Sequence, residues 1–410
     1  MKRLDGLWPQ VVAFDNLWLA WRKARRGKSR TAGAVTFELE LESNLLALQC
    51  ELETGDYQPG MYRLFTLYER KPRLIAAAPF RDRVVHHAVM NVIEPPLDRR
   101  FIHDSYACRR DKGVHAAVDR YQLWARRYPY ALKLDVRQYF PSIDHAILKA
   151  TLRRHLRDER VLALLERIID NGPDLAPTEP AYFPGDDLLT PLERRCGIPI
   201  GNLTSQFFAN LYLNDLDHGI KEVLRAPAYL RYVDDMVLLA DDKVQLWAWR
   251  DWIAERLAGI RLRLHPAKAK VSQVREGLDV LGYRLFPKRR RLRNENGLRF
   301  RRRLRAFAQG YAEGRLDWAD FDSSVQAWIG HARHAETLGL RERIFSEVHF
   351  RRERTEGRSP GGAGRLVEQR TEEVAVGRAQ QERPAQQEQQ HRVPSGQSAH
   401  RVPEPLRSRM

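Results

Sequence analysis

The chain has 410 residues, 43% of them hydrophobic, and its 70 Lys and Arg against 53 Asp and Glu leave a formal charge of +17. That length suggests two or three structural units of roughly 150 residues each, and so basic a balance points to a polyanionic partner, nucleic acid first. Cys50, Cys108 and Cys196 lack metal-binding or disulfide-framework spacing, and no apolar run is long enough to span a membrane, so a cytoplasmic protein without a membrane partner is expected.

Residues 1–36 carry an aromatic segment, Phe14 to Trp21, followed by the cluster Arg22-Lys-Ala-Arg-Arg-Gly-Lys28. An amphipathic helix with a basic end that contacts RNA fits this pattern, and so does a solvated helix that buries Trp18 and Trp21. Phe37 to Leu52 has helical periodicity in Leu39, Leu45, Leu46 and Leu48, and Gly55-Asp56 and Pro59-Gly60 then turn the chain. Leu64 to Pro79 reads as two strands joined near Lys71-Pro72, with a helix starting at Arg81. His86 and His87 have no second ligand pair and read as ordinary helix residues.

Ala131-Leu-Lys-Leu-Asp-Val136 alternates, with Leu132, Leu134 and Val136 on one face and Lys133 and Asp135 on the other. Leu148 to Ile169 reads as one basic helix, and residues 171–196, with several Pro, Gly and Asp, as a loop insertion. In Tyr229-Leu-Arg-Tyr-Val-Asp-Asp-Met-Val-Leu-Leu-Ala240 two apolar runs flank Asp234 and Asp235, the pattern of a hairpin with acid in its two-residue turn. Val244 to Leu257 predicts a helix carrying Trp247, Trp249 and Trp252, which suit packing better than base stacking. Lys288 to Arg305 predicts a basic hairpin leading into a helix, interrupted by a turn at Asn294-Glu-Asn-Gly297, and suits a nucleic-acid backbone. His331 and His334 have no accompanying Cys, which disfavours zinc. From about Arg351 onward the composition is that of a disordered tail.

An acidic strand and a distant acidic hairpin can bring Asp135 beside Asp234 on one sheet. Carboxylates so placed repel each other, and a desolvated carboxylate must be paired or bind metal. A solvent-exposed Asp turn is the plainer alternative. Two Mg²⁺ ions on such carboxylates would activate an attacking 3′-hydroxyl and stabilise departing pyrophosphate.

Asp135 followed by Phe140, then Gly201-Asn-Leu-Thr-Ser-Gln206, then Tyr232-Val-Asp-Asp235, in that order, resemble the palm motifs of reverse transcriptases. The longer phrase Gly197-Ile-Pro-Ile-Gly-Asn-Leu-Thr-Ser-Gln-Phe-Phe-Ala-Asn-Leu-Tyr-Leu213 resembles the reverse transcriptases of diversity-generating retroelements, within the wider group II intron and retron-like superfamily. The resemblance runs from about Glu38 to about Phe350. It implies an α/β (α+β) right-hand polymerase: fingers at 37–130, an antiparallel-sheet palm at 131–290 and a short helical thumb at 291–350. A basic segment, 1–36, would precede these and a disordered tail, 351–410, would follow.

The resemblance also implies the site. Asp135, Val136, Asp234 and Asp235 would hold two Mg²⁺ ions, for which Mn²⁺ could substitute. Asp235 would contribute less, because its adjacent position turns it partly away. Phe140 would exclude the ribose 2′-hydroxyl, unless it merely packs in the core. Lys71 and Arg73 would hold the triphosphate, and Ile200, Gly201 and Gln206 would contact the nucleotide. Lys268 would donate a proton to pyrophosphate, with Lys270 as the neighbouring alternative, and Leu281 to Leu285 would grip the primer terminus.

The implied partners are an RNA template, a DNA or RNA primer, dNTPs and a small basic accessory protein. The implied reaction is RNA-templated DNA synthesis that misincorporates opposite adenine. A group II intron-like enzyme, a phage-defence reverse transcriptase and a non-catalytic RNA-binding scaffold are the alternatives. In the tail, Gln-Gln-His-Arg-Val-Pro394 read one nucleotide later can encode Asn-Asn-Ile-Gly-Phe, which suggests a gene end overlapping a template repeat as one alternative to an ordinary tail.

Overall fold

The computed structural model describes residues 2–352 apart from 69–71, 176 and 178. Lys71 and the tail with its shifted-frame reading lie outside the described residues. Among the described residues the chain divides into two compact units, residues 2–281 with 285–288, and residues 282–284 with 289–352.

In the first unit the chain alternates helices with antiparallel strands, the mixed α/β class expected. Its centre is a four-stranded sheet in the spatial order Ala228–Tyr232, Asp235–Ala240, Tyr130–Asp135 and Lys270–Gln273, every neighbouring pair antiparallel. The two hairpin strands are buried almost throughout, which is why they read as near-continuous apolar runs rather than as an alternation. Helices Val114–Ala125 and Lys243–Gly259 pack against this sheet. Trp249 enters the core from the second of these helices while Trp247 stays exposed.

A separate two-stranded hairpin, Arg63–Tyr68 with Pro72–Ala77, stands in solvent until Ile75 and Ala76 bring its inner end under cover. Behind it the long helix Phe80–Asp98 buries Val84, Val85, Ala88, Val89 and Ile93 against the N-terminal helices. Trp18, on helix Phe14–Arg25, remains 41% exposed, so only part of that aromatic face is core.

Three expectations need correction. Leu148 to Ile169 is not one helix but two, His145–His155 and Glu159–Asp170. Asp158 breaks the run: its carboxylate caps the second helix through the Val161 N–H and also accepts from the N–H groups of Leu7 and Trp8. Asn294-Glu-Asn-Gly297 is not a turn but the first turn of helix Asn294–Ala312, where Gly297 lies close against Leu340. Finally, the Phe37 to Leu52 periodicity is split at Glu40 into helices Ala32–Leu39 and Leu41–Thr54. The two split helices share one source: a continuing apolar period does not reveal where the backbone leaves the helix.

The second unit has its own aromatic core. Phe300 stacks on Trp328 at 3.8 Å, and Phe321 stacks on Phe350 at 5.1 Å. Arg301 and Arg305 pair with Glu347 across helices Asn294–Ala312 and Leu338–Ser346.

Candidate active site

The hairpin turn is placed one residue earlier than its sequence suggests. Tyr232 pairs with Asp235, so the two turn residues are Val233 and Asp234, and Asp235 is already the first residue of its strand. The apolar run was misleading because Val233 looks like strand; instead its backbone is left-handed, with φ +56°.

This register sets the carboxylates. Asp135, the last residue of its strand, stands directly opposite Asp235, with Asp234 beside them in the turn. Like charges opposite one another on a sheet repel, and lysines answer two of them. Lys268 donates to Asp135 at 2.6 Å, and Lys133 lies 3.2 Å from Asp235. Lys268, rather than Lys270, is therefore the lysine against Asp135. Its loop is tied to the strand end by His265 N–H donating to the Asp135 carbonyl at 2.7 Å and Arg137 N–H donating to Arg263 at 2.8 Å. Those bonds flank the Val136–Leu264 bridge and use neither the N–H nor the carbonyl of buried Val136.

Asp234 is half-buried, and its carboxyl is pushed up to about 6, first by burial and then by the charges of Asp235 and Asp135. Folding therefore favours the protonated form. The ionised form costs stability above about pH 6, and the cost fades as pH falls toward the ordinary value of 3.8. Asp234→Asn is expected to raise the melting temperature of the metal-free protein at about pH 7.5 and to leave it unchanged near pH 3.5. Equal shifts at the two pH values would show that folding does not hold the Asp234 carboxyl above its ordinary value.

Among the described residues no three His, Cys, Asp or Glu side chains converge into a ready-made metal cage. One or two carboxylates completed by water and substrate phosphates are nevertheless what Mg²⁺ usually accepts. The charge repulsion at Asp234 is what a divalent cation relieves. The residues present fit such an ion.

The remaining candidates surround this centre in part. Phe140 is half-buried, packs against the core edge-on to Tyr139 at 5.7 Å, and its carbonyl accepts from Ile198. Ile200 accepts from the Ala76 N–H at 3.3 Å, joining the motif to the inner end of the solvent hairpin. Gly201 has φ +110°, and a Cβ there would stand 3.2 Å from Ile75, so both backbone and space favour glycine. Gln206 is exposed on the first turn of helix Leu203–Tyr212. Arg73 is exposed opposite Leu67, in the outer part of the hairpin.

Two charged residues escaped the site reading. Lys133 had a signal, since it alternates onto the same face as Asp135. Arg231 had another: a charge inside an apolar run needs a buried partner. That partner is Asp217, 2.7 Å away, with both side chains fully buried. Burial works against the guanidinium charge, but Asp217 outweighs it and holds the group above its ordinary value.

Residues 67–285 match the family described as reverse transcriptase (RNA-dependent DNA polymerase). The chain belongs to that family, whose members are RNA-directed DNA polymerases that use an RNA template, a primer, nucleotides and divalent metal ions. It is 28% identical over 295 residues to Protein YkfC of Escherichia coli K12, covering 62% of this chain and 74% of that protein. It is 22% identical over 217 residues to the group II intron-encoded protein LtrA of Lactococcus lactis subsp. cremoris, covering 52% of this chain and 33% of LtrA. The chain thus spans about a third of that intron-encoded relative. Among solved structures, apo telomerase from Candida tropicalis aligns with a TM-score of 0.42 at 11% identity, over 56% of this chain and 48% of that one. Among the described residues no helix is long and apolar enough to cross a membrane.

Proposed function

We propose that this chain is the reverse transcriptase of a diversity-generating retroelement, a cytoplasmic enzyme that copies a template-repeat RNA with adenine-directed infidelity. The observation that carries the reading is the phrase Gly197 to Leu213, with Ile200 before the motif glycine and Gln206 at its end. A small basic accessory protein is the proposed partner. Residues 37–130, 131–290 and 291–350 are assigned as fingers, palm and thumb, with 1–36 a basic extension.

In this reading Asp135, Asp234, Asp235 and the Val136 carbonyl hold two Mg²⁺ ions, which when bound activate the primer hydroxyl and neutralise the leaving pyrophosphate. Arg73 and Lys71 hold the triphosphate. Phe140 closes the space a 2′-hydroxyl would occupy, and Lys268 hands a proton to pyrophosphate. Asp135 and its neighbours support a working catalyst over a scaffold, since half-buried like charges set side by side are costly to keep without use.

An intron-type enzyme is the second reading, favoured by the intron-encoded relative. Sequencing cDNA made by the purified chain on a defined RNA separates the two. Errors concentrated opposite template adenine support the diversifier, and errors spread evenly over the four bases support the intron type.

Ile200→Gln sharpens this test. Gln can hydrogen-bond a nucleotide sugar where Ile offers only apolar contact. One such bond is worth about 0.5–1.5 kcal/mol, hence roughly threefold to tenfold in selectivity. The variant is expected to raise fidelity by about that factor at template adenine while remaining active. An unchanged ratio of correct to incorrect insertion would leave Ile200 as packing alone.

A further inference from the structure

The turn that presents Asp234 has an unsuitable residue at its bend. A two-residue hairpin turn with positive φ at its first position normally takes Gly there, yet the residue is Val233, with φ +56°. A β-branched side chain resists that backbone and keeps it only where the surroundings over-determine it. The restraint comes from within the same hairpin. Arg231 Nη1 donates to the Val233 carbonyl at 3.0 Å and to Asn210 Oδ1 at 3.1 Å. Nη2 donates to Asp217 Oδ2 at 2.7 Å and to the Asn210 carbonyl at 3.2 Å, and Nε donates to Asp217 at 2.9 Å. All five N–H groups of the guanidinium therefore have acceptors.

We propose that Arg231 is a positioning residue for the Asp234 turn: aimed by Asp217 and Asn210, it holds the Val233 carbonyl and so fixes where the Asp234 carboxylate meets a divalent cation. The inference rests on Asp234 being a metal ligand, as proposed above.

The aim of the guanidinium is itself determined. Asp217, on helix Asn214–Glu222, is held by the Tyr229 hydroxyl at 2.6 Å. Asn210, on the helix that begins just after Gly201, donates to the Ala107 carbonyl at 2.8 Å. The backbone of Arg231 is fixed as well, its N–H donating to Asp104 and its carbonyl accepting from Tyr106, both at 3.0 Å. Only the turn is left to be shaped by this fork. The arrangement ties helix Leu203–Tyr212, which carries Gln206 and Asn210, to the carboxylate turn through one side chain, so a shift of either moves the other. Lysine would keep the charge but could not reproduce a planar five-donor fork.

The test uses the full chain and Mn²⁺ as the probe, read by electron paramagnetic resonance without nucleotide, beside single-turnover primer extension and a circular-dichroism melt. Arg231→Lys is expected to weaken Mn²⁺ binding and extension by about tenfold or more, the usual scale for groups that orient a ligand, in protein that remains folded at the assay temperature. Adding Val233→Gly, which accepts the turn without strain, is expected to recover at least about threefold of the lost Mn²⁺ affinity. If Arg231→Lys does not fold, Asn210→Ser, which removes one acceptor of the fork, takes its place with the same expectations. Unchanged Mn²⁺ affinity in the folded variant, or a loss that Val233→Gly does not relieve, overturns the proposal and leaves Arg231 a stabilising ion pair. Wild-type protein that binds Mn²⁺ no better than Asp234→Asn instead overturns the metal assignment of Asp234.

Discussion

Asp135→Asn and Asp234→Asn are each expected to lower primer extension by about a thousandfold or more, with affinity for the RNA template–primer staying within about twofold of wild type. The first half follows from placement: Asp135 ends one strand and Asp234 lies in the turn beside the neighbouring strand, so neither can substitute for the other. An amide retains one oxygen but not the charge that a divalent cation requires, and the charge it would neutralise develops in the transition state. The second half follows from the charge balance, because a chain carrying +17 binds phosphates through its arginines and lysines rather than through these acids. Single-turnover extension and filter binding on the same preparations check both halves. Extension at the wild-type rate by either variant would end the metal assignment, and a parallel loss of RNA affinity would show that the substitution had unfolded the site.

The second large effect belongs to Lys268. It donates to Asp135 at 2.6 Å from a loop that is itself bonded to the Asp135 carbonyl, so its position is set by the strand that carries the carboxylate. A general acid typically contributes about 10²–10⁴-fold, and Lys268→Met is expected to lose an amount in that range. The same change removes a cation that competes for Asp135. Half-saturation by Mg²⁺ should therefore shift to lower concentration even as the rate falls. Lys268→Arg keeps a cation beside Asp135 but does not release its proton, so it should stay slow without the Mg²⁺ shift. A full rate in Lys268→Met would reduce Lys268 to a counter-ion of Asp135.

Much of this arrangement was legible in the chain. The alternation of Leu132, Leu134 and Val136 against Lys133 and Asp135 predicts the acidic strand and its polar face, since a strand's side-chain period is two. The apolar runs around Asp234 and Asp235 predict the hairpin, and the resemblance implies a lysine at 268 or, alternatively, at 270. The resemblance puts Lys268 ahead of Lys270, but the contact itself is tertiary: Lys268 reaches Asp135 from the loop tied down at the Val136–Leu264 bridge, while Lys270 already begins a strand and pairs opposite Lys133.

The sequence by itself determined the class of elements, the ordered motifs and the acids, because local periodicity and residue chemistry act over a few neighbours. Tertiary structure alone decided the register that sets Asp235, not Asp234, opposite Asp135, and it moved the turn onto Val233. It decided, too, that Asp158 would end a helix by bonding to residues about 150 positions away. The physical reason is the same in each case. A strained turn or an interrupted helix persists only when partners distant in sequence compensate it, as Arg231, Asp217 and Asn210 do for the turn at Val233, and no local pattern records where those partners will come to rest.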